Sequence, residues 1–294
     1  MKPPLKKPER IAVTWAPSLQ EAKFEAMKIV KEISSAGGKT VTAEGFSLYD
    51  SRFREILQSE PYDLVITLGG DGTMLRTGKL CAPVHVPICG INMGSFGFLI
   101  EVQQNQWHEM IPLLLDGSWK IEERMMLHVE LQRKFSNLLQ WEVLNDAVVA
   151  HGAELRPIRV NVKVSGHLLT DYVADGLIVS TATGSTAYAM AAGGPILQPE
   201  LRNMLVIPIA PHLCLDRGLI LQEGETVDIS VAADHETVFS PDGAKGVILS
   251  EDDRICVSSS EYSAQFIRFR DNGFFYQNFI QYMQRNPSAV RDKS

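Results

Sequence analysis

What the chain lacks narrows its chemistry first. Its four cysteines, Cys81, Cys89, Cys214 and Cys256, are scattered through 294 residues with no close pair. That excludes a disulfide framework, a zinc knuckle and a Cys-x-x-Cys redox motif, and it fits reduced thiols in a cytoplasmic protein. The seven histidines show no zinc-ligand spacing either. No apolar run is long enough to span a bilayer: the longest, residues 204–215, is interrupted by Pro208, Pro211 and His212. The basic N-terminal residues lead into no signal-peptide core. Positive charge is short as well, with 28 Lys and Arg against 35 Asp and Glu, so neither nucleic acid nor a membrane is an expected partner. Two phosphate-binding signatures are missing. No Gly-Lys-Ser/Thr follows a glycine-rich turn, and no Gly-x-Gly-x-x-Gly fingerprint is present.

Hydrophobic residues make up 45% of the chain, enough for packed cores, and the length predicts two domains. Up to about residue 120, two periods alternate. A strand is expected at 11–15. A helix follows over 19–36, carrying Phe24, Met27, Ile29, Val30 and Ile33 and stopped by Gly37-Gly38. A second strand at 40–43 and a short helix at 51–58 come next. Residues 63–68 form a mostly apolar run ending abruptly at Gly69-Gly70, as in a parallel strand covered on both faces. A helix at 73–80 and a strand at 86–91 complete a βαβα rhythm. Beyond residue 120 the pattern changes to short β-prone runs at 125–132, 141–150, 158–164, 168–173, 206–209, 226–231, 247–250 and 254–257. A short helix at 186–192 is one exception. Helical spacing after Gly273 through Phe275, Phe279, Ile280 and Met283 is the other. The expected architecture is an α/β domain with an open, mainly parallel sheet over 10–120 and a β-rich domain over 121–269. A C-terminal helix within 270–294 is expected to return to the first domain.

The strongest chemical signal is Gly69-Gly70-Asp71-Gly72-Thr73, directly after the buried-looking strand and before a helix. Its glycines permit a tight turn and close ligand approach, and the backbone N–H groups at a helix start can hold phosphate. A carboxylate inside such a cradle repels phosphate, so Asp71 reads better as a base for a hydroxyl or a partner for magnesium. The plainer alternative is that it caps the helix. A second cluster runs from Asp175-Gly176 to Thr183-Gly184-Ser185-Thr186-Ala187-Tyr188. Its hydroxyls and backbone donors suit a ribose, phosphate or amide, although helix capping would also use them. Asn145-Asp146 puts an amide beside a carboxylate, and an Asx turn would account for that pair equally. Arg76, Lys79 and Arg124 lie near these motifs, either as phosphate contacts or as solvated surface charges.

These segments are joined by Asn92-Met93-Gly94-Ser95-Phe96-Gly97-Phe98-Leu99, Pro211-His212 and Pro241-Asp242-Gly243. In order and spacing they resemble the NAD kinase family from residue 11 to about 283. The resemblance implies NAD held between an α/β and a β-rich domain, ATP as donor, Mg2+ or another divalent cation, and a homo-oligomer. It implies that Asp71 acts on the adenosine-ribose 2′-hydroxyl, with Gly69, Gly70, Gly72 and Thr73 forming the donor-side turn. Phe98 matches the ring near adenine. Asn145 and Asp146 match an Asn-Glu pair holding ribose and nicotinamide-side groups, and Asp175 matches a ribose-binding aspartate. Thr186, Ala187 and Tyr188 match residues around the dinucleotide, while Arg76 and Arg124 are the candidate charge contacts. The metal ligands stay open. Three positions depart from the family pattern: Asp146 replaces glutamate, Ser95-Phe96 replaces His/Arg-Leu, and Ala192 replaces serine. The expected activity is phosphorylation of NAD to NADP with release of ADP. The same turn would also serve a related small-molecule or lipid kinase, and a catalytically silent NAD-binding regulator is a further alternative. Intact Asp71 counts against the regulator.

Overall fold

A computed structural model describes residues 7–37, 41–60, 62–94, 97–134, 136–212, 215–232, 235–270, 273, 275, 276, 279 and 280. The chain divides into two compact units, Met1–Glu122 with Gln265–Ser294, and Glu123–Ala264.

The first unit alternates strands β1 (Arg10–Trp15), β2 (Thr42–Ser47), β3 (Leu64–Gly69), β4 (Ile88–Asn92) and β5 (Val102–Gln103) with helices. These are α1 (Gln20–Ala36), α2 (Ser51–Ser59), α3 (Asp71–Cys81) and α4 (Trp107–Asp116). The strands pair in parallel in the order β2-β1-β3-β4-β5. Parallel neighbours need crossover connections, which the helices supply. β3 is buried at every position, consistent with its unbroken apolar run. α1 turns Ala22, Ala26, Ile29 and Ile33 inward, and these pack with Trp107, Met110, Ile111 and Leu114 of α4. Phe24 and Met27 belong to the same periodic run but face outward. β2 lies further along the chain than the expected 40–43, because its six residues pair throughout with β1. α4 has no counterpart in the sequence reading, and it forms with Pro112 inside it.

The second unit contains most of β6 (Lys120–Arg133), then β7 (Ser136–Val143), β8 (Asp146–His151), β9 (Ile158–Val164), β10 (His167–Ala174) and β11 (Gly176–Thr181). After a single helical turn, α5 (Tyr188–Ala191), come β12 (Asn203–Ile209), β13 (Leu219–Gln222), β14 (Val227–Ala232), β15 (Thr237–Pro241), β16 (Val247–Ile248) and most of β17 (Asp253–Arg268). One antiparallel sheet has the order β13-β12-β11-β8-β15-β16; in the other, β10-β9-β14-β17 continues through β6 to β7. Alternate residues of both sheets, among them Leu127, Val129, Val149, Val160, Val162, Leu177, Val179 and Ile229, form one core. That is the two-residue period of strands with one face turned inward. On the other face of the six-stranded sheet, Val148, Ile178, Leu205 and Ile207 pack against Ala182, Ala189 and Leu197, which fastens the segment after β11.

Two expectations need adjusting here. The run at 141–150 is not one strand; it breaks at Leu144-Asn145 into β7 and β8. The run at 254–257 is only the start of β17, which extends for 16 residues. Gly273, Phe275, Tyr276, Phe279 and Ile280 are helical, while most of the C-terminal helix expected within 270–294 falls outside the described residues. No helix among the described residues is long and apolar enough to cross a membrane.

Candidate functional site

In the first unit the site is the exit of β3. Gly69 closes the strand, Gly70 stands at the N-cap in an extended conformation, and Asp71 opens α3. The Asp71 carboxylate reaches across to the segment after β4. There Oδ2 accepts the Phe98 amide at 2.7 Å and Oδ1 the Leu99 amide at 3.1 Å. Gly97 makes this possible, because a Cβ there would lie 2.2 Å from Asp71 Oδ1. Charge-assisted bonds to two successive amides fix the carboxylate in one orientation. Thr73 folds its hydroxyl back against Gly69, whereas the space beside Gly70 and Gly72 is open. A helix leaves its first N–H groups without intrahelical acceptors, so this open side is a place for anionic oxygens. The Phe98 ring lies 6.5 Å from that of Phe279. Arg76 is exposed on α3 and donates to Tyr49 Oη.

In the second unit the site gathers where β8 begins and β11 ends, since Asp146 pairs with Ser180. Thr181 Oγ1 donates to Leu144 O at 2.6 Å, and Gly184 N donates to Thr181 Oγ1 at 3.0 Å. Gly184 packs so tightly that a Cβ would fall 2.2 Å from Asn145 O. Arg124 is buried, and its Nη1 donates to Thr183 Oγ1 at 3.1 Å, so its contact here is with the turn itself. Thr186 and Ala187 are half-buried, and the Tyr188 side chain is 45% exposed. Asp242, a residue without an assigned role in the sequence reading, organises the start of β8. Its carboxylate accepts the amides of Leu144, Asn145 and Asp146 at 3.0, 2.7 and 3.2 Å. In the sequence, only the Pro-Asp-Gly turn that carries it stands out.

Asp146 is 5% exposed. Burial, followed by the negative charge of Asp242, pushes its carboxyl up to about 7, against a smaller downward pull from the Tyr188 backbone amide. The structure therefore brings Asn145, Asp146, Thr186, Ala187 and Tyr188 to one end of the six-stranded sheet. Asp175 is not with them. It precedes Gly176 at the opposite end of β11, with its backbone bonded to Ile209 and His151. At the usual strand rise that end is roughly 17 Å away.

Known proteins place this geometry. The ATP-NAD kinase N-terminal domain matches residues 5–119, and the ATP-NAD kinase C-terminal domain matches residues 144–269. The NAD kinase of Natranaerobius thermophilus is 38% identical over 220 residues, covering 74% of this chain and 77% of that protein. That of Treponema denticola is 36% identical over 259 residues, covering 86% and 90%. Among solved structures, yeast NADH kinase complexed with NADH superposes with a TM-score of 0.81 at 22% identity, over 100% of this chain and 95% of that one. An NAD kinase from Archaeoglobus fulgidus in complex with ATP gives 0.72 at 25% identity, over 94% and 98%. With both domain matches covering most of its length, the chain belongs to the ATP-NAD kinase family.

Proposed function

We propose that this protein transfers the terminal phosphoryl group of ATP to the 2′-hydroxyl of the adenosine ribose of NAD, giving NADP and ADP. The observation that carries this reading is the Asp71 carboxylate, held by the Phe98 and Leu99 amides beside the open glycines of the turn. The hydroxyl oxygen attacks the terminal phosphorus, the bond from that phosphorus to the ADP oxygen breaks, and Asp71 takes the hydroxyl proton. Amides at the start of α3 hold phosphate oxygens. Asn145, Asp146, Thr186, Ala187 and Tyr188 position the dinucleotide, and Phe98 lies near its adenine. Asp175 is left for a contact outside that cluster.

Among the described residues no group of three His, Cys, Asp or Glu is arranged to hold a metal. Magnesium is commonly carried by substrate phosphates with one or two protein carboxylates and water. Asp71 is the carboxylate at this turn that fits. The ion, when bound, neutralises charge on the transferred group. The reading includes a homo-oligomer, as the family resemblance implies. It also includes a cytoplasmic location, supported by free Cys81, Cys89 and Cys256.

Incubating the purified chain with ATP, Mg2+ and either NAD or a panel of lipid alcohols tests the assignment. Stoichiometric NADP and ADP are expected. Phosphorylation of another alcohol with NAD untouched would overturn it, and NAD binding without turnover would point to a regulator.

A further inference from the structure

We propose that Tyr49 and Arg76 form a donor-side clamp, in which the Tyr49 ring seats the Arg76 guanidinium beside the phosphates of ATP. The inference rests on reading the turn at 69–73 as the donor site, and it adds a positioning residue, Tyr49, that the reaction scheme does not contain.

Arg76 follows Gly72 by four residues on α3, so the two share one face about 6 Å apart. Both are exposed, while Thr73, Met74, Leu75 and Thr77 between and beside them are buried. The open side of the glycine turn and the Arg76 side chain therefore look the same way. The Arg76 guanidinium carbon lies 5.3 Å from the centroid of the Tyr49 ring, and Nη1 donates to the Tyr49 hydroxyl. Tyr49 follows the C-terminal end of β2 and is itself 61% exposed.

Arg76 is held differently from four other arginines of this chain. Arg52, Arg133, Arg202 and Arg268 are each matched to a carboxylate: Asp50, Asp253, Glu223 and Glu122. Among the described residues no carboxylate pairs with Arg76. An aromatic ring steadies a guanidinium without neutralising it, so the full charge and the planar fork of donors stay available to an anion. A fork of that shape matches two phosphate oxygens at once. Seating it in advance also removes part of the side-chain ordering that binding would otherwise require. Asn145, Asp146, Thr186, Ala187 and Tyr188 lie in the other unit, whereas Arg76 shares α3 with the donor-side turn.

The test uses the full chain with Arg76→Ala, Arg76→Lys, Tyr49→Ala and Tyr49→Phe. Affinity for a non-hydrolysable ATP analogue with Mg2+ is read by calorimetry, alongside KM for ATP and for NAD. Arg76→Ala is expected to weaken analogue binding and raise the ATP KM about tenfold, a loss typical of one charged hydrogen-bonding contact. The NAD KM should not follow. Arg76→Lys should recover part of the loss. Tyr49→Ala should show the same donor-selective defect, and Tyr49→Phe, which keeps the ring, should restore most of it. Unchanged analogue affinity in Arg76→Ala would overturn the clamp, as would parallel changes in both KM values. If the wild type makes no NADP yet binds the analogue in an Arg76-dependent way, the functional reading fails and the clamp stands. If NADP is made with Arg76-independent donor affinity, the clamp fails and the functional reading stands.

Discussion

Replacing Asp146 with Asn should make the protein more stable at alkaline pH. The Asp146 carboxyl, buried beside Asp242, titrates near 7 instead of 3.8. Between those values the folded chain holds a proton that the unfolded chain has released. Stability therefore falls as pH rises through this window and levels off above about 7. Each pH unit is worth about 1.4 kcal/mol, so the ionised, buried carboxylate costs the fold roughly 4 kcal/mol at pH 8. Between pH 5.5 and 7 alone the loss is about 2 kcal/mol. Asn has nearly the same shape, can still accept the Tyr188 amide through Oδ1, and carries no charge to desolvate. Relative to wild type, the melting temperature of Asp146→Asn should thus rise by a further 4–8 °C or so between pH 5.5 and pH 8, at about 2–4 °C per kcal/mol for a chain of this size. Differential scanning calorimetry at the two pH values reads this directly. A gap that is the same at both pH values would refute the reasoning, because it would show that no proton is linked to folding at this residue.

Asp71→Asn should lower turnover about 100-fold or more, the usual scale of a lost general base, while NAD affinity measured by calorimetry survives. Its Oδ1 can still accept one of the two amides of Phe98 and Leu99 while its Nδ2 cannot accept the other, so a structure of the variant should show one of these two bonds lost. Gly97→Ala tests the same contact from the other side: its methyl would press on the Asp71 carboxylate, and turnover should fall at least about tenfold without loss of fold by circular dichroism. His128→Gln addresses a separate pH effect. Burial lowers the His128 imidazole, but hydrogen bonds to Glu142 and Glu130 raise it by more, to a net value above 6.5. The stabilisation is therefore complete below about pH 6.5 and is lost as pH rises through the folded value. The variant should lose roughly 0.5–1 kcal/mol at pH 6 and nothing at pH 9, read by urea titration.

Much of the first unit is legible because its signals are local. The apolar run of β3 ending in two glycines marks both a buried parallel strand and the turn after it, and the α1 period marks one helix face. α4 is hidden by Pro112, which a local reading takes as a breaker. The length of β17 is hidden by Ser258-Ser259-Ser260, which suits a loop by composition but is carried here as strand. The motifs at 69–73 and 183–188 could be found, yet what holds them could not. Asp71 bonds to amides 27 and 28 residues away, and Asp242 bonds to amides 96 to 98 residues away. Backbone amides carry no sequence signature, so neither partnership is written in residue types. The same holds for Tyr49 under Arg76. Asp175 shows the opposite case: adjacency in the motif suggests one cluster, but an extended β11 puts the two ends of the motif a strand's length apart.

The sharpest single measurement is the position of the new phosphate on the product, read by phosphorus-coupled NMR after reaction of the purified chain with ATP, Mg2+ and NAD. A phosphate on the 2′-oxygen of the adenosine ribose, formed with one ADP per NADP, is the predicted result. A phosphate at any other hydroxyl, or NAD recovered unchanged while ATP is consumed on another alcohol, would contradict the assignment of Asp71 and of the reaction itself.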